Sequence, residues 1–217
     1  MTDPRGAGCP SLVLTFCQKL QPQRQRVVRM AVGMGLAVSV AACGSMPVPT
    51  YNLSAPSDFS AGGRGSGQLV VAMPSALAVL NTDKIVVEPG GGQVAYLGNA
   101  QWADQLPPLL QARIIQSFEN GSNLRRVARP GDGVTADYQL LTDIRAFGLR
   151  MTDEGPRAVV EVSAKVVNNR SGAISAAKVF KASVPVASTS GEAVTQALDT
   201  ASDDVLVSLV RWAARYF

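Results

Sequence analysis

The sequence predicts an α+β fold, a two-layer sandwich in which a mainly antiparallel sheet packs against two principal helices. Three observations carry this reading. Three extended segments, Ala136 to Leu149, Ala158 to Asn168 and Ala173 to Val184, are separated only by Asp153-Glu154-Gly155-Pro156 and Asn168-Asn169-Arg170-Ser171-Gly172, turns short enough for antiparallel pairing. In the second segment Val160, Val162, Ala164 and Val166 alternate with Glu161, Ser163 and Lys165, the period of two that buries one sheet face and wets the other. Two further segments repeat apolar residues every three or four positions, as amphipathic helices do.

The chain opens on a leader. Arg24, Arg26 and Arg29 precede a weakly apolar run from Met30 to Val40, which ends in Val40-Ala41-Ala42-Cys43. This is the order of a secretory signal: basic region, apolar region, small-residue cleavage site. At about fourteen residues it falls short of the about twenty that a bilayer span needs. Val40-Ala41-Ala42-Cys43 resembles the bacterial lipobox, in which the cysteine thiol receives a diacylglycerol and the peptide is cut before it. The resemblance implies lipidation of Cys43, and two or more acyl chains, at about 0.8 kcal/mol per buried methylene, hold a protein stably on a membrane. Gly44 stands where enterobacterial sorting reads an aspartate as an inner-membrane signal, so the resemblance points to the outer membrane. Residues 1 to 23, with Asp3, Pro4, Pro10 and an apolar patch from Leu12 to Phe16, fit a basic region poorly, and translation is expected to begin downstream of Met1. The expected organisation is a leader over 1–42, a lipidated N-terminus and flexible tether over 43–67, and an α+β domain over 68–217. The tether is read from Pro47, Pro49, Pro56, Gly62, Gly63, Gly65 and Gly67, broken by a short extended stretch at Tyr51 to Leu53.

Within the domain, Gln68 to Ala72 is a short strand ended by Pro74. Lys84 to Val87 and Gln93 to Leu97 form a hairpin about Pro89-Gly90-Gly91-Gly92. Trp102 to Asn120 reads as the first helix, with Leu106, Leu109, Leu110, Ile114 and Phe118 at helical spacing. Its regular part starts at Pro107-Pro108, which suit a first turn, and Gly121 caps its end. Leu124 to Val127 is a short strand. Thr189 and Glu192 stand in capping-box spacing before Val194, Leu198, Ala201, Val205, Leu209 and Trp212, the stripe of the last helix, whose Asp199, Asp203 and Asp204 rule it out as a membrane span.

Composition narrows the chemistry. The chain carries a formal charge of +4, but five of its 20 basic and one of its 16 acidic residues lie in 1–43, so the remainder has no formal net charge. Nucleic-acid binding therefore lacks its general electrostatic drive, and Arg125, Arg126 and Arg129 read as a solvated loop end. Of the three cysteines, Cys9 and Cys17 precede the signal and Cys43 is the last, and there is no histidine. Disulfides, zinc-thiolate sites and cysteine nucleophiles are excluded from the domain, and the commonest general base is missing. No cofactor or metal is expected. Neither glycine-rich stretch matches GxGxxG or GxxxxGK[ST], and there is no GxSxG elbow. Asp153-Glu154 and Asp203-Asp204 read as surface acids. Ser163 and Lys165 are two apart on a strand, and Ser175 with Lys178 has SxxK spacing on a strand instead of a helix start, so no enzyme is expected.

Taken in order, these landmarks resemble the ABC-type transport auxiliary lipoproteins, periplasmic companions of transporters that use mammalian-cell-entry (MCE) domain proteins to move lipids. The resemblance is carried by Cys43, Tyr51-Asn52-Leu53, Val71-Ala72-Met73-Pro74 and Leu80-Asn81-Thr82-Asp83-Lys84-Ile85. It continues in Val94-Ala95-Tyr96-Leu97, Asn99-Ala100-Gln101-Trp102-Ala103-Asp104 and Leu106-Pro107. It implies a non-catalytic accessory part that links a permease, its ATPase and an MCE protein to the outer membrane, facing the periplasm, with a phospholipid, sterol or other hydrophobic cargo. Self-association stays open. Tyr96 and Trp102 are the candidate partner-facing aromatics, with core packing as the alternative for both and for Trp212. The competing function is a structural or assembly lipoprotein, an envelope scaffold or secretion pilot, with the same anchor and fold.

Overall fold

The structure is a computed structural model that describes residues 47–62, 67–122 and 126–217. Cys43, Gly44 and Arg125 lie outside these. Val48–Phe217 form one compact unit. Its elements are β1 (Thr50–Tyr51), β2 (Leu69–Val71), β3 (Ser75–Ala76), β4 (Lys84–Gly90), β5 (Gln93–Trp102), α1 (Leu106–Gly121), β6 (Val127–Ala128), β7 (Tyr138–Thr152), β8 (Gly155–Asn168), β9 (Ile174–Pro185) and α2 (Gly191–Ala213). The expected α+β architecture is present. No described helix is long and apolar enough to cross a membrane.

β7 is the spine. On one side it pairs antiparallel with β8 along its whole length, and β8 pairs with β9. Its other side takes β2, β3 and β4 one after another, all parallel, so that three short strands share one long neighbour. β5 folds back antiparallel on β4, and β1 adds a parallel pair at the far end of β5. The long ladders are antiparallel and the short ones parallel, a mixture that local periodicity does not reveal because both ladder types alternate side chains equally.

Leu140, Ile144, Phe147 and Leu149 of β7 and Ala158, Val160, Val162, Ala164 and Val166 of β8 enter one core together with Leu110, Ile114 and Phe118 of α1 and Val194, Leu198, Val205 and Leu209 of α2. Both helices thus cover one face of the sheet. A bulge at Arg145, between Ile144 and Ala146, switches the alternation of β7 so that Phe147 and Leu149 stay on the core side.

Helix ends follow their local chemistry with two corrections. Pro107 and Pro108 occupy the first turn of α1, as expected. The cap at the end of α1 is Ser122, whose N–H and Oγ both donate to Phe118 O, and not Gly121, which is the last helical residue. α2 is capped by Ser190, whose Oγ accepts from Ala193 N at 3.3 Å, and not by Thr189. Both residues precede Glu192 at short range, and the side chain that reaches the third amide decides between them.

The expected tether is the larger difference. After β1 has joined the sheet edge, residues 52–61 lie across the helix layer, and Leu53 is 2% exposed. Asn52 Oδ1 accepts from Arg113 of α1 at 2.8 Å, Ser54 N and Oγ donate to Asp199 of α2 at 2.7 and 2.8 Å, and Asn120 Nδ2 donates to Pro56 O at 3.2 Å. Ala61 N then donates to Gly121 O at 2.7 Å, and Arg211 sits over the Phe59 ring. Beyond the two residues of β1, this stretch rich in proline and small residues forms no helix or strand, yet it docks where side chains of other elements meet its backbone groups.

Candidate functional site

The Tyr96 to Trp102 landmark is the C-terminal part of β5, and the structure splits its two aromatics. Trp102, expected to open α1, ends β5, held by its N–H donating to Asp83 O at 2.7 Å and by parallel pairing with Tyr51. It is 1% exposed and packs edge to face on Phe147, so it is a core residue and not partner-facing. Trp212 is buried as well, between Phe180 and Tyr216. Tyr96 is 44% exposed: its ring carries the Lys84 ammonium at 5.4 Å, and its OH donates to Val79 O at 3.4 Å.

Tyr96 lies on the face of the sheet that the helices leave uncovered. Register places it opposite Val86, which in turn lies opposite Gly148, and Gly148 opposite Val159. Alternating charges cross the same face: Asp143, Arg145, Glu161 and Lys181 make contacts of 3.5 to 3.9 Å. Glu88 and Arg150 make a closer pair at 2.6 Å, and that hydrogen bond raises the Arg150 guanidinium above its ordinary value despite partial burial. Exposed pairs of this kind contribute little to stability. A cleft of about 400 Å³ beside them is lined by Met73, Ser75, Leu141, Asp143, Ser163 and Lys165.

The acids singled out in the sequence do not converge on a reaction centre. Asp153 and Glu154 form the β7–β8 turn. Asp203 and Asp204 are adjacent on α2, and Asp203 faces Asp199 and Ser54 under the docked N-terminal segment. Burial, and then the Asp199 charge, push the Asp203 carboxyl above the ordinary carboxylate range, while the Ser54 hydrogen bond works the other way. Arg126 abuts β6, and Arg129 N donates to Asp132 in a turn. Ser163 is buried in β8 whereas Lys165 is exposed, and Ser175 and Lys178 lie on β9.

The α+β core that carries this face has relatives in sequence and in structure. Residues 51–210 match the family model of the ABC-type transport auxiliary lipoprotein component. The chain belongs to this family. Protein bll6063 of Bradyrhizobium diazoefficiens is 32% identical to the auxiliary lipoprotein over 75% of its chain, which spans 44% of that relative. The crystal structure of protein XCC0632 from Xanthomonas campestris superposes with a TM-score of 0.66 at 27% identity, covering 79% of this chain and 95% of that one. A second solved structure, at 14% identity and a TM-score of 0.60, covers 77% of the chain and 99% of its own and shares the fold. The family match begins at Tyr51, inside the segment expected as tether, which agrees with the docking of residues 52–61 onto the helices.

Proposed function

We propose that this auxiliary lipoprotein is anchored by lipid on Cys43 in the outer membrane, faces the periplasm, and joins an ABC permease and its ATPase to an MCE-domain protein that carries lipids or other hydrophobic molecules. The observation that carries the reading is a family match running from Tyr51 to the last helix, and Val40-Ala41-Ala42-Cys43 ahead of it resembles a lipobox. The part is non-catalytic. With neither histidine nor a GxxxxGK[ST] loop in the sequence, ATP hydrolysis falls to another subunit. The uncovered sheet face, with the Asp143, Arg145, Glu161 and Lys181 mosaic, is the natural docking surface, since alternating charge selects partner and register more than it adds affinity.

Two measurements test this. Affinity purification of the full-length protein from detergent-solubilised membranes is expected to bring down a permease, an ATPase and an MCE protein; recovery of peptidoglycan enzymes or secretion subunits in their place overturns the transport assignment. Palmitate labelling is expected to mark the wild type and not Cys43→Ser, and equal labelling of the two removes the anchor.

A further inference from the structure

We propose that the β4–β5 hairpin is a membrane-contacting edge, which the lipid-anchored protein lays against the headgroups beside its own anchor. The inference rests on the reading of Cys43 as lipidated and adds to it the surface that meets the bilayer.

The hairpin is unusual in composition and in exposure together. From Pro89 to Trp102 there is no charged side chain. Every residue from Pro89 to Tyr96 is exposed, with Val94 at 53%. Its tip, Gly90-Gly91-Gly92, runs through three consecutive positive φ angles, so no bulkier residue crowns it. Among the described residues the outer edge of β5 carries no strand from Gln93 to Asn99, because β1 joins only at Gln101 and Trp102. An open apolar edge of this kind invites aggregation, and soluble proteins blunt such edges with charge, lysine above all. The opposite edge of this sheet is blunted in that way: β9 carries Lys178 and Lys181. β5 is not, so in the working protein something covers it.

The path of the chain says what. β1 runs parallel to β5, and Pro49 O accepts from Gln101 N, so Val48 and Pro49 lie on the side of β1 that faces the Gly90–Gly92 turn. From Thr50 onward no slack remains, because the segment is docked on α1 and α2. Four residues lie between Cys43 and Val48, and the five steps that join them reach at most about 18 Å when fully extended. The acyl chains therefore hold the hairpin within a short distance of the lipid surface.

The chemistry of the hairpin fits a headgroup layer. Tyr96 offers an apolar ring and a polar tip, the combination enriched at membrane interfaces. Lys84, stacked over that ring, supplies a cation for phosphate oxygens, and Glu88, the hairpin's acid, is neutralised by Arg150. Unpaired N–H and C=O groups along β5 cannot enter hydrocarbon without partners, so the contact is interfacial and does not span.

Single thiols read this contact directly, because the mature chain has no cysteine other than the acylated Cys43. Val94→Cys and, at the far end of the β8–β9 turn, Ser171→Cys are each labelled with a bimane in the lipidated full-length protein. The protein is then reconstituted in phosphatidylethanolamine and phosphatidylglycerol vesicles containing a headgroup-nitroxide lipid. The label at position 94 is expected to lose most of its fluorescence while that at position 171 keeps it, and Tyr96→Ser, checked for native circular dichroism, is expected to reduce the loss. Equal quenching at the two positions in protein that floats with the vesicles overturns the hairpin contact and leaves the anchor standing. Failure to float removes the anchor and the inference with it. Shielding of position 94 without vesicles, rising with protein concentration, assigns the edge to a second copy and overturns the proposal too.

Discussion

Trp102 meets Phe147 edge to face, with ring centroids 5.8 Å apart and planes at 82°, and this contact ties the last residue of β5 to the middle of β7. The indole Nε1 is buried there without a partner. Trp102→Ala is expected to destabilise the fold by roughly 3–5 kcal/mol, the range for truncating a buried aromatic. Trp102→Phe is expected to cost much less, because it keeps most of the packing and removes a desolvated donor. Urea titration of the soluble Cys43→Ser form, followed by circular dichroism, checks both; a Trp102→Ala variant as stable as its parent contradicts the core assignment.

The elements legible in the sequence were those whose signal is local. Alternation in Val160 to Val166 and the stripe from Val194 to Trp212 each report burial against a single neighbouring layer, and the structure places both as the pattern requires. Trp102 was misplaced because its strand state comes from pairing with Tyr51, far away in sequence, while its neighbours Leu106 to Leu110 already read as helix. The docking of residues 52–61 was illegible for a related reason. Its bonds run from Ser54 to Asp199 and from Ser60 to Arg211, partners whose meeting depends on the whole fold. Tyr96 stood out as an aromatic in a landmark, but whether it is wet or dry depends on which sheet face lacks a helix.

Asp203 gives the fold a small pH dependence. Its carboxyl titrates above the ordinary range because it is partly buried beside Asp199. Across the window between the ordinary and the raised value the folded state holds more protons than the unfolded chain, so this residue's contribution to stability falls as pH rises through that window. Above it, a constant penalty remains. Asp203→Asn is expected to equal or exceed the wild type at neutral pH, by less than about 1 kcal/mol since solvent screens a partly exposed group. The gain is expected to vanish near pH 3, where unperturbed carboxylates protonate. Urea midpoints at the two pH values decide it, and a variant less stable at neutral pH shows that the Ser54 contact outweighs the repulsion.

Gly148 is fixed by the close approach of β4 to β7. A Cβ there would lie 2.4 Å from the backbone oxygen of Val86, which cannot move without breaking the parallel ladder. Gly148→Ala is expected to destabilise by about 1–3 kcal/mol or more, as overpacking does. Gly98, on the exposed part of β5, has open space at the same atom, so Gly98→Ala is expected to be near neutral. Thermal melts of the pair separate crowding from a general intolerance of these strands, and equal losses refute the first account.

Gly121 seats Phe59 and with it the C-terminal end of the docked segment. A Cβ at this position would fall 2.0 Å from the Phe59 ring, and the ring, stacked under Arg211, has to leave its seat to admit it. Gly121→Val is expected to undock the residues around Phe59 without unfolding the sheet, since the Ala61 to Gly121 hydrogen bond is lost while the core contacts of α1 at Leu110, Ile114 and Phe118 persist. Chymotrypsin is expected to cut at Phe59 faster in the variant than in the wild type, with the β7–β9 ladders equally protected from hydrogen exchange in both. Because the Ser54 to Asp199 bonds lie nearer the anchor and are untouched, the reach of the lipidated end is expected to stay the same; a variant that also exposes the Ser54 amide shows instead that the docked segment comes off as one unit.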